Sequence, residues 1–250
     1  MENRPHALYD LIGTTYDRYR RPDPRITAAI ERALGDAERL INVGSGTGSY
    51  EPPGRHVTAV EPSMVMIRQR LSSAAPVVQA VAEHLPFRDH AFDAALAILT
   101  VHHWTNASGG LTELTRVAPA QVVLTWDPAV FERFWLVDEY PPEIADAERG
   151  LPTVSAVKGT LDVKSVDTVP VPWDCTDGFC GAYWRRPRKY LDVAGRAAIS
   201  AFAKCDSNSL MEAMARLEYD LNSGEWKRRH ADLLSLEECD LGYRLVKAGN

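Results

Sequence analysis

The chain is poor in the features that would tie it to a membrane, to nucleic acid or to an oxidising compartment. It has only four cysteines in 250 residues, Cys175, Cys180, Cys205 and Cys239, all in the last third and without a C-x-x-C pair. That spacing excludes a disulfide framework and reads as reduced thiols; a soft-metalloid site would need further cysteines upstream. The longest wholly apolar run is Ala94 to Leu99, far below the roughly 20 residues that cross a bilayer. Met1 to His6 has no apolar signal-peptide core. Lys and Arg (28) are outnumbered by Asp and Glu (34), for a net charge of -6, which argues against a phosphate-backbone partner. No H-x-x-x-H spacing or acidic cluster completes a metal site. Internal repeats and low-complexity linkers are also missing. The expectation is one cytoplasmic domain spanning residues 1–250, with no membrane, nucleic-acid or metal partner; the pattern sets no oligomeric state.

What the chain does have is a ligand grip. Arg39 to Val43 is a short, largely apolar run that breaks into Gly44-Ser45-Gly46-Thr47-Gly48, and a second run, Val57 to Val60, leads into Glu61-Pro62-Ser63. Alternating glycines after a buried strand let a ligand touch backbone that a Cβ would shield. An acid after the second strand can accept from both hydroxyls of a ribose. The spacing G-x-G-x-G differs from the dinucleotide fingerprint G-x-G-x-x-G, and Pro52-Pro53-Gly54 stops any helix within about a turn. A truncated helix offers few free N–H groups to a pyrophosphate. The grip therefore suits a ligand with a ribose and no phosphate.

The rest of the chain alternates strands and helices, as a parallel α/β sheet with right-handed crossovers does. Helices are predicted over Arg25–Leu34, Met64–Leu71 (capped by Ser63) and roughly Gly110–Val117, and strands near 39–43, 57–60, 77–81, 93–99 and 121–126. Further on, Leu161–Val169 alternates like a half-exposed strand, Gly242–Lys247 could be the last strand, and about 180–235 is mostly helical. Tyr243 and Lys247 have the Tyr-x-x-x-Lys spacing of short-chain dehydrogenases. Along a strand, however, four residues separate the two groups by about 13 Å, too far to meet at one substrate atom.

Gly44–Gly48, Glu61-Pro62-Ser63, Ala82–Phe87, Phe92–Ala95 and Val101-His102-His103 together resemble the class I S-adenosylmethionine-dependent methyltransferases, in particular the branch that includes the ubiquinone and menaquinone enzymes. The resemblance covers roughly residues 10–127. It implies a doubly wound, Rossmann-like α/β fold whose mostly parallel sheet has an antiparallel edge, and S-adenosyl-L-methionine as cofactor. The implied cofactor-binding set is Tyr16, Arg20, Gly44, Ser45, Gly46, Gly48, Glu61, Pro62, Ala82, Glu83 and Leu99. In this set Tyr16 and Arg20 belong to an N-terminal cover (residues 1–24) that closes over the methionine end. Two positions depart from the family: Asn42 replaces the usual acid near the amino group, and Val81 replaces the acid that often reads the adenine, leaving the base to the Ala82 backbone and Glu83.

The resemblance also implies SN2 methyl transfer to an O, N or C atom of a small molecule. Cyclisation, isomerisation or a non-catalytic binding role on the same fold are the alternatives. His102 and His103 follow the fourth strand at the carboxyl edge, where open α/β sheets bind ligands, and are the candidate catalytic groups. In an extended segment only one of them would face the cleft; it could accept a proton, hydrogen-bond the substrate, or simply pack. Trp104, Trp126, Tyr183 and Trp184 are the candidate substrate contacts, suited to a flat or apolar molecule. Residues 180–235, inserted before the last strand, are the candidate lid. Arg185–Lys189 is the one basic cluster, read as a solvated helix entry or a contact for an anionic group.

Overall fold

The computed structural model describes residues 19–141 and 143–250, so Tyr16 and most of the 1–24 cover lie outside the described residues. Helix α1 (Pro24–Leu34) starts where the Asp23 carboxylate accepts from the Arg25 N–H, and it buries Ile26, Ile30 and Leu34 along one stripe. Strands β1 (Arg39–Val43) and β2 (His56–Val60) follow, then a one-turn helix α2 (Met64–Arg68) capped by Ser63. Next come β3 (Val77–Val78), β4 (Ala94–Ile98), α3 (Ala107–Val117, capped by Asn106) and β5 (Ala120–Trp126). Two elements are shorter than predicted, α2 and β3. Helix α3 is longer, because the Asn106 carboxamide oxygen accepts from the Gly109 N–H three residues before the expected start.

The chain beyond β5 is an addition to this frame. Four short helices, α4 (Pro128–Phe131), α5 (Trp135–Glu139), α6 (Glu143–Glu148) and α7 (Val154–Thr160), precede β6 (Val163–Thr168). A two-residue strand β7 (Val171–Pro172) then leads into 3-10 turns at Cys180–Tyr183, Pro187–Leu191 and Phe202–Lys204, and the helices α8 (Val193–Ala197), α9 (Ser207–Ser223) and α10 (Glu225–Arg229). Strand β8 (Glu238–Cys239) pairs antiparallel with β7, and β9 (Tyr243–Gly249) ends the chain.

The seven-stranded sheet has the order β3-β2-β1-β4-β5-β9-β6. Strands β1 to β5 are parallel, and β9 is antiparallel to both of its neighbours, β5 and β6. This is the Rossmann-like, mostly parallel sheet expected from the sequence, with β9 slotted inside β6 and not appended beyond it. The order reverses between β1 and β4, and the carboxyl ends there form the crevice where such sheets take ligands. Helix α3 covers one face together with α7, and α1 covers the other with α4, α5 and the insertion. Of the four helices between β5 and β6, the sequence reading anticipated none, because their apolar positions come in runs too short to show a helical period.

Candidate active site

The glycine loop is held in shape by side chains around it. Gly44 and Ser45 donate to the carbonyl of Val60 at 2.8 and 3.0 Å, tying the end of β1 to the end of β2. Gly44, Gly46 and Gly48 all have positive φ (71°, 54° and 98°), which L side chains adopt only with strain. A Cβ on Gly44 would overlap the Thr100 hydroxyl. Underneath, Arg70 donates to the Gly46 carbonyl (3.1 Å), the Ser45 hydroxyl (3.2 Å) and Glu51 (2.6 Å). With an arginine fixing the loop from below, no long helix follows it, as Pro52-Pro53 foretold.

Glu61 is buried at the end of β2. One of its oxygens accepts from the Gly46 N–H (2.8 Å), and the other from the Ser63 N–H (2.9 Å). The carboxylate thus orders the loop while it stands in the wall of the cleft, and its two oxygens carry about four acceptor sites in all. The cleft extends to about 910 Å³ out to its open mouth. Asn42, Gly44, Ser45, Gly46 and Glu61 line one side, Met66, Val81, Ala82 and Ile98 give it apolar walls, and Arg20, Pro62, Glu83, Leu99, Thr100, His103 and Trp104 complete it. An acceptor beside a glycine cradle, an apolar slot and a cation, with no array of free helix N–H groups, matches a nucleoside carrying an amino-acid tail and no phosphate. The residues present therefore fit S-adenosyl-L-methionine.

Several expected contacts fall into place differently. Gly48 has the strained geometry but its neighbours are Ala74, Arg70 and Glu51, so it shapes the turn and does not line the cleft. Glu83 lines the cleft, yet one of its oxygens accepts from the Asn106 N–H, which ties it to the entry of α3. Arg20 does reach the cleft, but its Nε donates to Asp177 at 2.7 Å. Asp177 is fully buried and also accepts from the Tyr50 hydroxyl at 2.8 Å. N-terminal segment, glycine loop and late insertion thus meet at one carboxylate. Nothing in the local sequence marks Asp177, Tyr50 or Arg70 for this, because each acts across a separation that only folding closes.

A second chamber opens behind the first, about 500 Å³ out to its mouth. Leu99, Trp126, Phe131, Phe179 and Tyr243 give it apolar and aromatic walls, His102, His103, Arg20 and Glu148 add polar ones, and Cys180 and Ile199–Ala201 close it from the insertion. Arg20, Leu99 and His103 line both spaces. Leu99 sits at φ 51° directly after β4, a costly conformation for a branched side chain, and its N–H is anchored to the Leu124 carbonyl at 2.8 Å.

The two histidines are corrected in one respect. Val101–His103 is a 3-10 turn and not an extended segment, so adjacent side chains diverge by about 120° and not 180°. Both imidazoles reach the second chamber, ring centroids 3.7 Å apart, with His102 edge-on to Trp126 at 4.5 Å. Both are half-buried. Desolvation, then the positive charges of Lys204 and Arg20, hold His103 down at about 3. Desolvation and then His103 hold His102 well below the usual imidazole range. Both are neutral near pH 7.

The aromatic candidates divide. Trp126 lines the second chamber, whereas Trp104 lines the first cleft and not the second chamber. Tyr183 and Trp184 line neither. The Tyr183 ring is taken up by Arg186 (5.2 Å) and Tyr190 (5.5 Å). Trp184 is fully buried, its indole N–H donating to the Val171 carbonyl at 2.9 Å and its own carbonyl accepting from Trp135. A large aromatic in a lid is as readily its core as its working face. The basic cluster is spent inside the same insertion: Arg185 on the Leu236 carbonyl, Arg186 on Cys175 and Ala182, Arg188 on Asn222.

Comparison with known proteins agrees with this geometry. Residues 41–124 match the family described as Methyltransferase domain. A crystal structure from Anabaena variabilis, named as a candidate methyltransferase from an antibiotic biosynthesis pathway, is 33% identical, with a TM-score of 0.84 over 92% of this chain and 99% of that one. The [4+2]-cyclase SpnF shares the fold alone, at 16% identity and a TM-score of 0.53, covering 98% of this chain and 95% of that one. A tRNA (carboxymethyluridine(34)-5-O)-methyltransferase of Schizosaccharomyces pombe is 25% identical over 113 residues, 45% of this chain and 50% of that protein. An uncharacterized protein of Methanocaldococcus jannaschii is 25% identical over 134 residues, 52% of this chain and 53% of that protein. The chain thus spans about half the length of these two sequence relatives. Motifs, sheet order and a near full-length relative converge, and the chain belongs to the class I S-adenosylmethionine-dependent methyltransferase family.

Proposed function

We propose that the chain transfers a methyl group from S-adenosyl-L-methionine to an oxygen, nitrogen or carbon atom of a small molecule held in the second chamber. The observation that carries this reading is the wall shared by the two spaces, built from Arg20, Leu99 and His103. When bound, the cofactor supplies an electrophilic methyl group on a sulfonium, so alignment and exclusion of water are the protein's main contributions.

Each residue's part follows from its position. Glu61 accepts from the ribose hydroxyls, Met66, Val81 and Ala82 enclose the base, and Arg20, steadied by Asp177, meets the carboxylate of the methionine tail. Phe179, Cys180 and Ile199–Ala201 act as the lid over the second chamber and keep water out. His103 and His102 present neutral imidazole nitrogens to the acceptor. A base held as low as about 3 deprotonates little in advance. It orients a hydroxyl or amine and takes the proton only as the acceptor atom acquires positive character. A small molecule fits the aromatic chamber and the net charge of -6 better than a phosphate backbone does.

Calorimetry with S-adenosyl-L-methionine and S-adenosylhomocysteine tests the first half, and a tritiated-methyl assay against pooled small metabolites tests the second. Binding of both cofactor forms with transfer of label is the expected result. Absence of binding overturns the reading, and binding without transfer moves it to cyclisation or isomerisation on the same fold.

A further inference from the structure

The second chamber contains an acid that the proposed transfer does not use. Glu148 closes α6, is 8% exposed, and stands in a wall that includes the rings of Trp126, Phe131, Phe179 and Tyr243. Its Oε1 accepts from the Lys204 ammonium at 3.1 Å. Among the described residues its Oε2 has no hydrogen-bond partner. Trp126, in the same wall, has a buried indole N–H for which the described residues provide no acceptor. The Trp126 N–H has almost no accessible surface and is out of a ligand's reach, whereas the second Glu148 oxygen is not sealed in this way, and a carboxylate oxygen set in an aromatic wall calls for a donor from the ligand.

The ligand's charge can also be read from the surroundings. Lys204 already neutralises Glu148, and Asp177 neutralises Arg20. The field of Lys204 and Arg20 nevertheless opposes protonation of the two histidines, so the chamber disfavours one more positive charge. Burial likewise pushes the Glu148 carboxyl up, as expected of an oxygen with little water around it. A neutral hydrogen-bond donor satisfies the carboxylate without adding charge. The four rings of the wall, Trp126, Phe131, Phe179 and Tyr243, favour a flat molecule small enough to lie among them.

We propose that Glu148 anchors the substrate, and that the substrate is an uncharged aromatic molecule of one or two fused rings carrying a hydroxyl group that donates to this carboxylate. The inference rests on the reading of the second chamber as the acceptor site. It assigns Glu148 a specificity role: it selects hydroxylated rings over their hydrocarbon counterparts, while the methyl-transfer region lies at the Arg20–Leu99–His103 wall.

The test titrates 2-naphthol, 2-methylnaphthalene and (2-naphthyl)methylammonium into the full chain, with and without S-adenosylhomocysteine, and repeats the titration on Glu148→Leu. In the parent, 2-naphthol is expected to bind at least about tenfold more tightly than 2-methylnaphthalene, the factor that one good hydrogen bond supplies. Glu148→Leu should erase that preference while leaving hydrocarbon binding within about threefold and S-adenosylhomocysteine binding within about twofold. If Glu148→Leu does not fold, the double variant Glu148→Leu/Lys204→Leu removes the pair without stranding a charge. The proposal is overturned if the parent shows no preference for the hydroxyl, if the preference survives the substitution, or if the ammonium probe binds best. Failure of the parent to bind S-adenosylhomocysteine would sink the methyl-transfer reading and leave the naphthol result to decide this one.

Discussion

The two cavities share a wall but are built on different principles. The cofactor cleft is made from consecutive strand ends: 42–50 after β1, 61–66 after β2, 81–83 after β3, and 98–105 after β4. The second chamber takes Leu99, His102, His103 and Trp126 from the ends of β4 and β5, and adds to them Arg20, Phe131, α6, β9, the Phe179–Cys180 turn and the 199–201 segment. A site built from strand ends inherits its geometry from the sheet, so its residues occur as motifs with fixed spacing. The part of a site that comes from segments outside the sheet can be refitted without touching the strands, which is how one fold serves many acceptors. The contrast also predicts where a substitution damages stability, where it damages cofactor binding and where it changes the acceptor.

Trp184→Ala is expected to have the largest effect, and on folding rather than on turnover. A fully buried indole with its N–H satisfied typically costs about 3–5 kcal/mol when truncated, read as a lower urea midpoint. Selective loss of turnover in a fully stable Trp184→Ala would put this residue back among the substrate contacts and break the division between chamber wall and insertion core.

Gly44→Ala comes next. It forces an L side chain to φ 71° and drives a Cβ into Thr100, for a destabilisation of about 2–4 kcal/mol and loss of S-adenosylhomocysteine binding by calorimetry. Full binding in this variant would show that the loop can re-form without its glycine and that the cleft is less rigid than its hydrogen bonds imply.

Glu61→Ala removes the tether on Gly46 and Ser63 together with the proposed ribose acceptor. S-adenosylhomocysteine affinity is expected to fall at least about tenfold, the worth of about 1.4 kcal/mol, while binding of the naphthalene probes stays near the parent value. A folded variant that binds the cofactor like the parent removes Glu61 from the site.

The last effect concerns pH. The folded protein holds His102 and His103 below the value they have when unfolded, so below about pH 6.5 the unfolded chain binds more protons and stability falls as pH drops towards 3. Above about pH 7 both states are neutral and the contribution is flat. From His103 alone a loss of about 2 kcal/mol between pH 7 and pH 5 is expected from the urea midpoint, and His103→Gln should remove that share. An unchanged slope in that variant would show that the imidazole is solvated in the folded state.

The sequence made the cofactor half readable because its signals are local. An apolar strand followed by glycines at fixed spacing, and an acid after the next strand, act within one crossover, and these named Gly44, Ser45, Gly46 and Glu61. The single histidine pair was legible too, although the 3-10 turn that aims both rings at one chamber was not, because no residue in Val101–His103 requires it. Arg70, Tyr50 and Asp177 escaped notice for a different reason. Each is an ordinary residue in an ordinary place until folding sets it against the loop or Arg20. The tryptophans show the limit from the other side: aromatic composition said that an apolar space would exist, but not which ring faces it and which fills the core.

By itself the sequence determined the sheet and the chemistry of the cofactor grip, since strand periodicity, glycine conformations and a carboxylate at a strand end are constraints on neighbouring residues. Tertiary structure alone decided how β9 enters between β5 and β6, which side chains close the second chamber, and that Glu148 stands in its wall. Those outcomes depend on packing between segments 50 to 150 residues apart, whose short apolar runs fit many arrangements locally and reach one minimum only when the whole core is assembled.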